Sequence, residues 1–216
     1  MKPVRIVVFA KAPLPGLAKT RLIAALGRQG AADLAQRLLA HALQAAVDAN
    51  VGAVELCVTP APSEAIWQGL ALPTGLRLTD QGAGDLGERM ARAARRVTDS
   101  GESVLLIGTD CPQLGAAQLQ QAADALQGAE ASLIPAFDGG YVLLGLNRFD
   151  ARVFSNIAWS TGSVAAETMH RLRQLQWNVK VLRTLHDIDE PSDLKFLPSS
   201  WLHHASKALA PELDFA

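Results

Sequence analysis

The chain has 216 residues, of which 49% are hydrophobic and 19% charged, a balance that excludes disorder and suits one α/β domain with a large core. Twenty basic against 21 acidic residues leave a net charge of −1, which argues against a nucleic-acid stripe or an anionic-membrane binder. Any phosphate site must therefore be local. The two cysteines, Cys57 and Cys111, imply no disulfide framework and fit a reducing compartment. The apolar run 4–10 is too short for a signal-peptide core, and none reaches the ~18–20 residues of a membrane helix. The expectation is a cytoplasmic protein with no membrane span and no nucleic-acid partner.

Val4-Arg5-Ile6-Val7-Val8-Phe9-Ala10 reads as a strand buried on both faces. It runs into Lys11-Ala12-Pro13-Leu14-Pro15-Gly16-Leu17-Ala18-Lys19-Thr20-Arg21-Leu22, a proline-stiffened loop whose two last cations open a helical pattern. A helix N-terminus attracts anions, and Lys19 with Arg21 adds charge for a ligand carrying several phosphates. The bland alternative is a solvated basic turn. It is not a Walker A loop: Ala12 and Ala18 stand where glycines should, and Pro13 and Pro15 lack amide donors. Amides of Leu14, Gly16, Leu17 and Ala18 remain.

Residues 31–47 have apolar positions at helical spacing. Strands are expected at 53–59, closed by Pro60 and Pro62, and at 76–79, with a short helix at 63–70 between them. Asp85 with Glu88 resembles a capping box that starts a helix running to about Asp99. Then come a buried strand at 104–108, a helix at 115–126, and strands at 131–136 and 141–146. The tight Asp138-Gly139-Gly140 connection predicts a hairpin, making the last of these antiparallel. A helix at 163–175, a strand at 179–182 and a helix near 192–196 behind Pro191 complete the pattern. Strand–helix alternation predicts a single doubly wound, mainly parallel sheet with helices on both faces. That domain spans 1–198; the tail 199–216, with Trp201, Leu202, Leu209, Leu213 and Phe215, either packs back or makes a homodimer contact.

Ligands of such sheets bind beyond the carboxyl ends of the strands, where four marked stretches fall. Asp110, in Gly108-Thr109-Asp110-Cys111-Pro112, follows a strand without polar residues. A carboxylate there, near a phosphate loop, suits Mg²⁺ or Mn²⁺, unless it caps the turn into Pro112. Asp187 and Asp189 alternate in an extended segment and so face one side; either could supply a second metal ligand, while the other, or Asp193, caps the helix at Pro191. Asp138, Gly139, Gly140 and Tyr141 border a substrate pocket, although the glycines are equally explained by the hairpin. Trp159-Ser160-Thr161 is either a substrate loop or a buried Trp with a helix cap. Cys111 has no obvious His partner and reads as a small buried thiol.

Together these stretches, with Gln81-Gly82 and Asp85-Leu86-Gly87-Glu88-Arg89-Met90, resemble an uncharacterised bacterial family of the nucleotide-diphospho-sugar transferase superfamily. Its members have the glycosyltransferase-A fold and are often labelled arsenosugar-biosynthesis or selenodomain-associated glycosyltransferases. The resemblance implies Mg or Mn as cofactor, a nucleotide or nucleotide-sugar substrate and a small-molecule acceptor. It places Ala10, Lys11, Pro15, Gly16, Lys19, Arg21, Gln81 and Arg89 at the nucleotide, and Lys19 and Asp110 at the reaction centre. Sugar transferases of this fold usually carry D-x-D at the metal. Here Thr109-Asp110-Cys111 has a single carboxylate, closer to related nucleotidyltransferases acting on molybdopterin or 2-phospholactate. Glycosyl and nucleotidyl transfer, and a non-catalytic nucleotide-binding regulator, all stay open at this point.

Overall fold

The computed structural model describes residues 2–201. Its strands are β1 (Val4–Lys11), β2 (Gly52–Thr59), β3 (Arg77–Asp80), β4 (Ser103–Ile107), β5 (Ala131–Pro135), β6 (Tyr141–Leu146) and β7 (Val179–Val181). Its α-helices are α1 (Ile23–Asp48), α2 (Leu86–Asp99), α3 (Ala116–Ala125) and α4 (Val164–Gln174). The sheet order is β3-β2-β1-β4-β6-β5-β7. Every pairing is parallel except those of β6, which lies antiparallel between β4 and β5. The 138–140 hairpin therefore does more than reverse the chain. It slots β6 into the sheet one strand earlier than its sequence neighbour and delivers its first residue to the edge where the parallel strands end.

Alternation along the strands builds the two cores. Ile6, Val8, Leu105 and Ile107 face Leu39 and Leu43 of α1 and Leu119 of α3. Val7, Leu106 and Leu144 face Met90, Ala94 and Val97 of α2 and Leu172 of α4. The doubly wound architecture follows from that two-sided burial. A buried charge fixes α2 as well: Glu55 of β2 is fully enclosed, pairs with Arg96 and with Arg5 (3.7 Å), and accepts the Thr79 hydroxyl (2.6 Å).

Three local expectations change. α1 begins at Ile23, earlier than its periodicity shows, because Gly27 (φ 71°, ψ 170°) breaks it and hides the regular spacing upstream. The expected helix at 63–70 is only a 3₁₀ turn, Ala65–Trp67, where the buried Trp67 indole donates to the Pro60 carbonyl (3.1 Å) instead of extending a helical face. The segment after Pro191 is likewise 3₁₀, Pro191–Phe196. At the start of the tail, Trp201 packs beside Leu194, Phe196 and Leu197, edge-on to His41 (5.6 Å) with the Arg37 guanidinium over its ring (5.8 Å). The rest of the tail, 202–216, lies outside the described residues, and the homodimer contact expected of it with them.

Candidate functional site

The strand order reverses between β1 and β4, and a cavity of about 800 Å³ opens at that point. The first loop, the 81–90 segment, the ends of β4 and β6, the 159–162 loop and the chain after β7 all contribute to its wall. Ala10, Lys11, Lys19, Arg21, Gln81, Arg89, Asp110, Asp138, Gly140, Tyr141, Trp159, Ser160, Thr161 and Asp189 line it. Pro15, Gly16, Gly139 and Asp187 lie off the wall. The lining also holds side chains to which sequence reasoning gave no role, among them those of Leu17 and Leu86, both exposed and apolar. Nothing distinguishes them in sequence, because an exposed leucine and a buried one read alike until the fold is known.

Lys19 is the centre of the site. Its backbone is left-handed (φ 47°, ψ 45°), and its side chain is only 8% exposed. The ammonium reaches Asp110 Oδ1 (2.6 Å), Asp189 Oδ1 (2.7 Å) and the Ile188 carbonyl (2.6 Å). An ammonium has three N–H donors, so all are engaged. Burial works against the charge, yet Asp110 and Asp189 outweigh it and hold the Lys19 pKa above its ordinary value. The same junction is sewn by the Ile188 amide, which donates to the Asp110 carbonyl (2.9 Å). Arg21 is far less constrained: its guanidinium lies 3.7 Å from Glu190, with both side chains well exposed, a pairing worth little. Of the loop amides expected to face phosphate, those of Leu14, Leu17 and Ala18 donate within the loop itself.

The carboxylates group differently from the sequence expectation. Asp138, expected at the substrate pocket, brings one oxygen within 4.8 Å of oxygens from Asp187 and Asp189. Asp110 instead turns onto Lys19, and shares that ammonium with Asp189. Asp193 takes the capping role, its Oδ2 accepting the amides of Asp189 (3.0 Å) and Glu190 (2.8 Å). Asp187 is pushed up to about 6 by burial first, then by Asp138, Asp189 and Asp110. Mutual repulsion among oxygen-only donors is what a hard divalent cation relieves, so the donor set fits Mg²⁺ or Mn²⁺.

The neighbouring loops are shaped by each other. Gln81 is buried; its amide donates to the carbonyls of Ala10 and Cys57 (3.0 Å each), which leaves its Oε1 toward Arg89 (3.4 Å). Arg89 also holds the Gly84 carbonyl (2.8 Å), and Arg92 holds those of Gln81 and Ala83. The expected Asp85–Glu88 capping box is present at the start of α2. Gly87 follows from Trp159: a Cβ there would lie 2.3–2.6 Å from the indole. Gly139 (φ 90°) follows from the same loop, since a Cβ would meet the Gly162 carbonyl oxygen at 2.0 Å. Gly139 thus serves close packing of two chain segments, whereas Gly140 lies on the cavity wall. Tyr141 shows its ring at the cavity, but its hydroxyl turns inward to Met90 Sδ (3.8 Å), and burial pushes its pKa up. The Thr161 hydroxyl is committed to the Ala158 carbonyl (2.7 Å). Cys111 is buried, and burial pushes its thiol up to about 11, as expected for an inert thiol.

With this geometry in place, relatives can be weighed. Residues 42–161 match the model of a family described as an uncharacterized protein conserved in bacteria (DUF2064). The chain belongs to this family. A crystal structure from Desulfovibrio desulfuricans G20, of a candidate nucleotide-diphospho-sugar transferase, is 31% identical and superposes with a TM-score of 0.85 over 93% of this chain and 88% of that one. More distant structures share the fold. A nucleotidyl transferase from Methanothermobacter has a TM-score of 0.61 at 15% identity, covering 93% of this chain and 98% of its own. The Rv0371c protein of Mycobacterium tuberculosis H37Rv, crystallised with manganese, has a TM-score of 0.51 at 19% identity, covering 91% of this chain and 98% of its own. No protein of curated function matches the chain. The nucleotide-diphospho-sugar transferase and nucleotidyltransferase-like fold is therefore that of this protein.

Two outcomes test the site's construction. Gly87→Ala should destabilise by about 1–3 kcal/mol through overpacking against Trp159. In Gly87→Ala/Trp159→Ala the loss should be smaller than the sum of the two single losses, as read by thermal melting. Asp187 gives a pH signature. Its folded pKa lies above the unfolded carboxyl value, so its stabilising contribution is full below about 3.8 and is lost as pH rises through about 6. With a chelator present, Asp187→Asn should melt higher than wild type at pH 7 and level with it at pH 3.5.

Proposed function

We propose that this protein is a metal-dependent transferase that moves a glycosyl group from a nucleotide-diphospho-sugar to a small-molecule acceptor. The observation that carries the reading is the convergence of the first-loop cations and a cluster of aspartates on one cavity at the sheet's switch point. The 31% identical relative supports the donor class. Asp138, Asp187 and Asp189 would hold Mg²⁺ or Mn²⁺. Such an ion supplies positive charge where the donor's leaving diphosphate gains negative charge.

The chain's own residues divide the remaining work. Ala10, Lys11, Gln81 and Arg89 form the nucleotide wall, with Gln81 fixed by its two backbone acceptors. Arg21, weakly paired and exposed, offers its guanidinium to the phosphates. Pro15 and Gly16 act indirectly, by shaping the loop that carries Leu17 to the wall. Asp110 keeps Lys19 at the cluster. Gly140, Trp159, Ser160 and Thr161 border the sugar and acceptor. Tyr141 and Gly139 support that border from below and take no direct part.

A specific observation favours a second reading, nucleotidyl transfer. The end of β4 presents one carboxylate, Asp110, bonded to a first-loop lysine (2.6 Å), rather than an aspartate pair. The products separate the two. With Mn²⁺ present, glycosyl transfer releases nucleoside diphosphate from a nucleotide-sugar. Nucleotidyl transfer releases pyrophosphate from a triphosphate, because the attacked atom is the α-phosphorus. Asp189→Asn should lower kcat/KM by about a hundredfold or more in either case, with a wild-type circular-dichroism spectrum and a single cooperative melting transition showing that the fold survives. Pyrophosphate from a triphosphate, with no nucleoside diphosphate from any nucleotide-sugar, would replace the first reading by the second.

A further inference from the structure

A lysine that bound only phosphate would be expected to reach into open cavity. Lys19 does the opposite. Its ammonium is buried, with all three donors spent on Asp110 Oδ1, Asp189 Oδ1 and the Ile188 carbonyl at 2.6–2.7 Å. Asp189 is also one of the three aspartates that gather around a common point with Asp138 and Asp187. The ammonium and a divalent ion would therefore draw on the same carboxylate. Phosphate contact by Lys19 also requires one of its present acceptors to be released, because no fourth donor exists.

We infer that Lys19 is an internal counterion, a built-in stand-in for the divalent cation. Its ammonium neutralises Asp110 and Asp189 in the metal-free protein, yields Asp189 when the metal binds, and turns to the donor's phosphates. The inference rests on the metal reading proposed above. Four aspartates at one place, Asp110, Asp138, Asp187 and Asp189, repel one another, and Lys19 is bonded to two of them. A divalent ion brings more charge to the same oxygens and repels a neighbouring ammonium. A lysine suits this exchange better than an arginine, because its compact charge sits on a flexible stem and needs no planar fork of acceptors. Ion and phosphate donor then favour each other's binding reciprocally, beyond any direct bond between them.

The test measures Mn²⁺ affinity by the electron paramagnetic resonance of the free ion, with no nucleotide present. Lys19→Met should bind Mn²⁺ at least tenfold more tightly than wild type, whereas a lysine that merely props the loop would, on removal, leave affinity unchanged or lower. In parallel, the ¹⁵N-detected ammonium of Lys19 in the wild-type protein should lose its protection from hydrogen exchange as Mg²⁺ is added. Wild-type Mn²⁺ binding with equal or weaker binding by Lys19→Met overturns the inference and leaves the metal reading standing. No Mn²⁺ binding by either protein overturns both. Should the variant fail to fold, a Lys19 ammonium whose protection is unmoved by saturating Mg²⁺ overturns the inference on wild type alone.

Discussion

One ammonium ties this site together. Lys19 belongs to the loop after β1, Asp110 to the loop after β4, and Asp189 to the segment after β7, at the far end of the sheet order. Strand pairing alone cannot join these three, since β7 is separated from β4 by β6 and β5, and the Ile188 amide on the Asp110 carbonyl reaches only two of them. A buried ammonium with two carboxylate partners can, because leaving the enclosed Lys19 charge uncompensated is costly. The left-handed backbone at Lys19, uncommon for a residue with a Cβ, is sustained by that network.

The rest of the cavity depends on two close approaches that glycine permits. The 159–162 loop lies against the first turn of α2 through Trp159 on Gly87, and against the 138–140 hairpin through Gly162 on Gly139. These contacts pack three separate chain segments into one wall. Ala165 adds a backbone bond to the Gly139 carbonyl (2.9 Å), so α4 is anchored to the same hairpin that carries Asp138. Motifs that look like independent ligand contacts in sequence are partly one another's packing partners.

What sequence could reveal follows from this division. The buried strands were legible because four to seven apolar residues between turn signals have few other uses, and the Asp85–Glu88 cap because its chemistry is local. The hairpin at 138–140 was legible too, but its consequence was not. Only the parallel pairing of β5 with β7, prolonged by Ala136 beside Leu185, brings Asp138 next to Asp187 and Asp189, and no residue type encodes a strand order. Lys19 read as a phosphate ligand because its partners are 91 and 170 positions away. The 63–70 segment misled for a smaller reason: its apolar residues serve one buried indole, not a helix face.

The charge arrangement explains how a chain of nearly neutral balance could address a polyphosphate. Around the cavity, Lys11, Lys19, Arg21 and Arg89 oppose Asp110, Asp138, Asp189 and Glu190, and Asp187 stands just behind. Such a wall has no surplus with which to hold a diphosphate. Its cations are spread along the first loop and α2, while its anions are concentrated between the ends of β4, β5 and β7. A diphosphate laid across it meets attraction at one end and repulsion at the other. On the metal reading proposed above, a hard divalent ion at the aspartates would offset much of the negative charge of that second end and free the lysine now spent there. The acidic cluster, unfavourable to phosphate by itself, would then be the means by which donor binding is made conditional on metal.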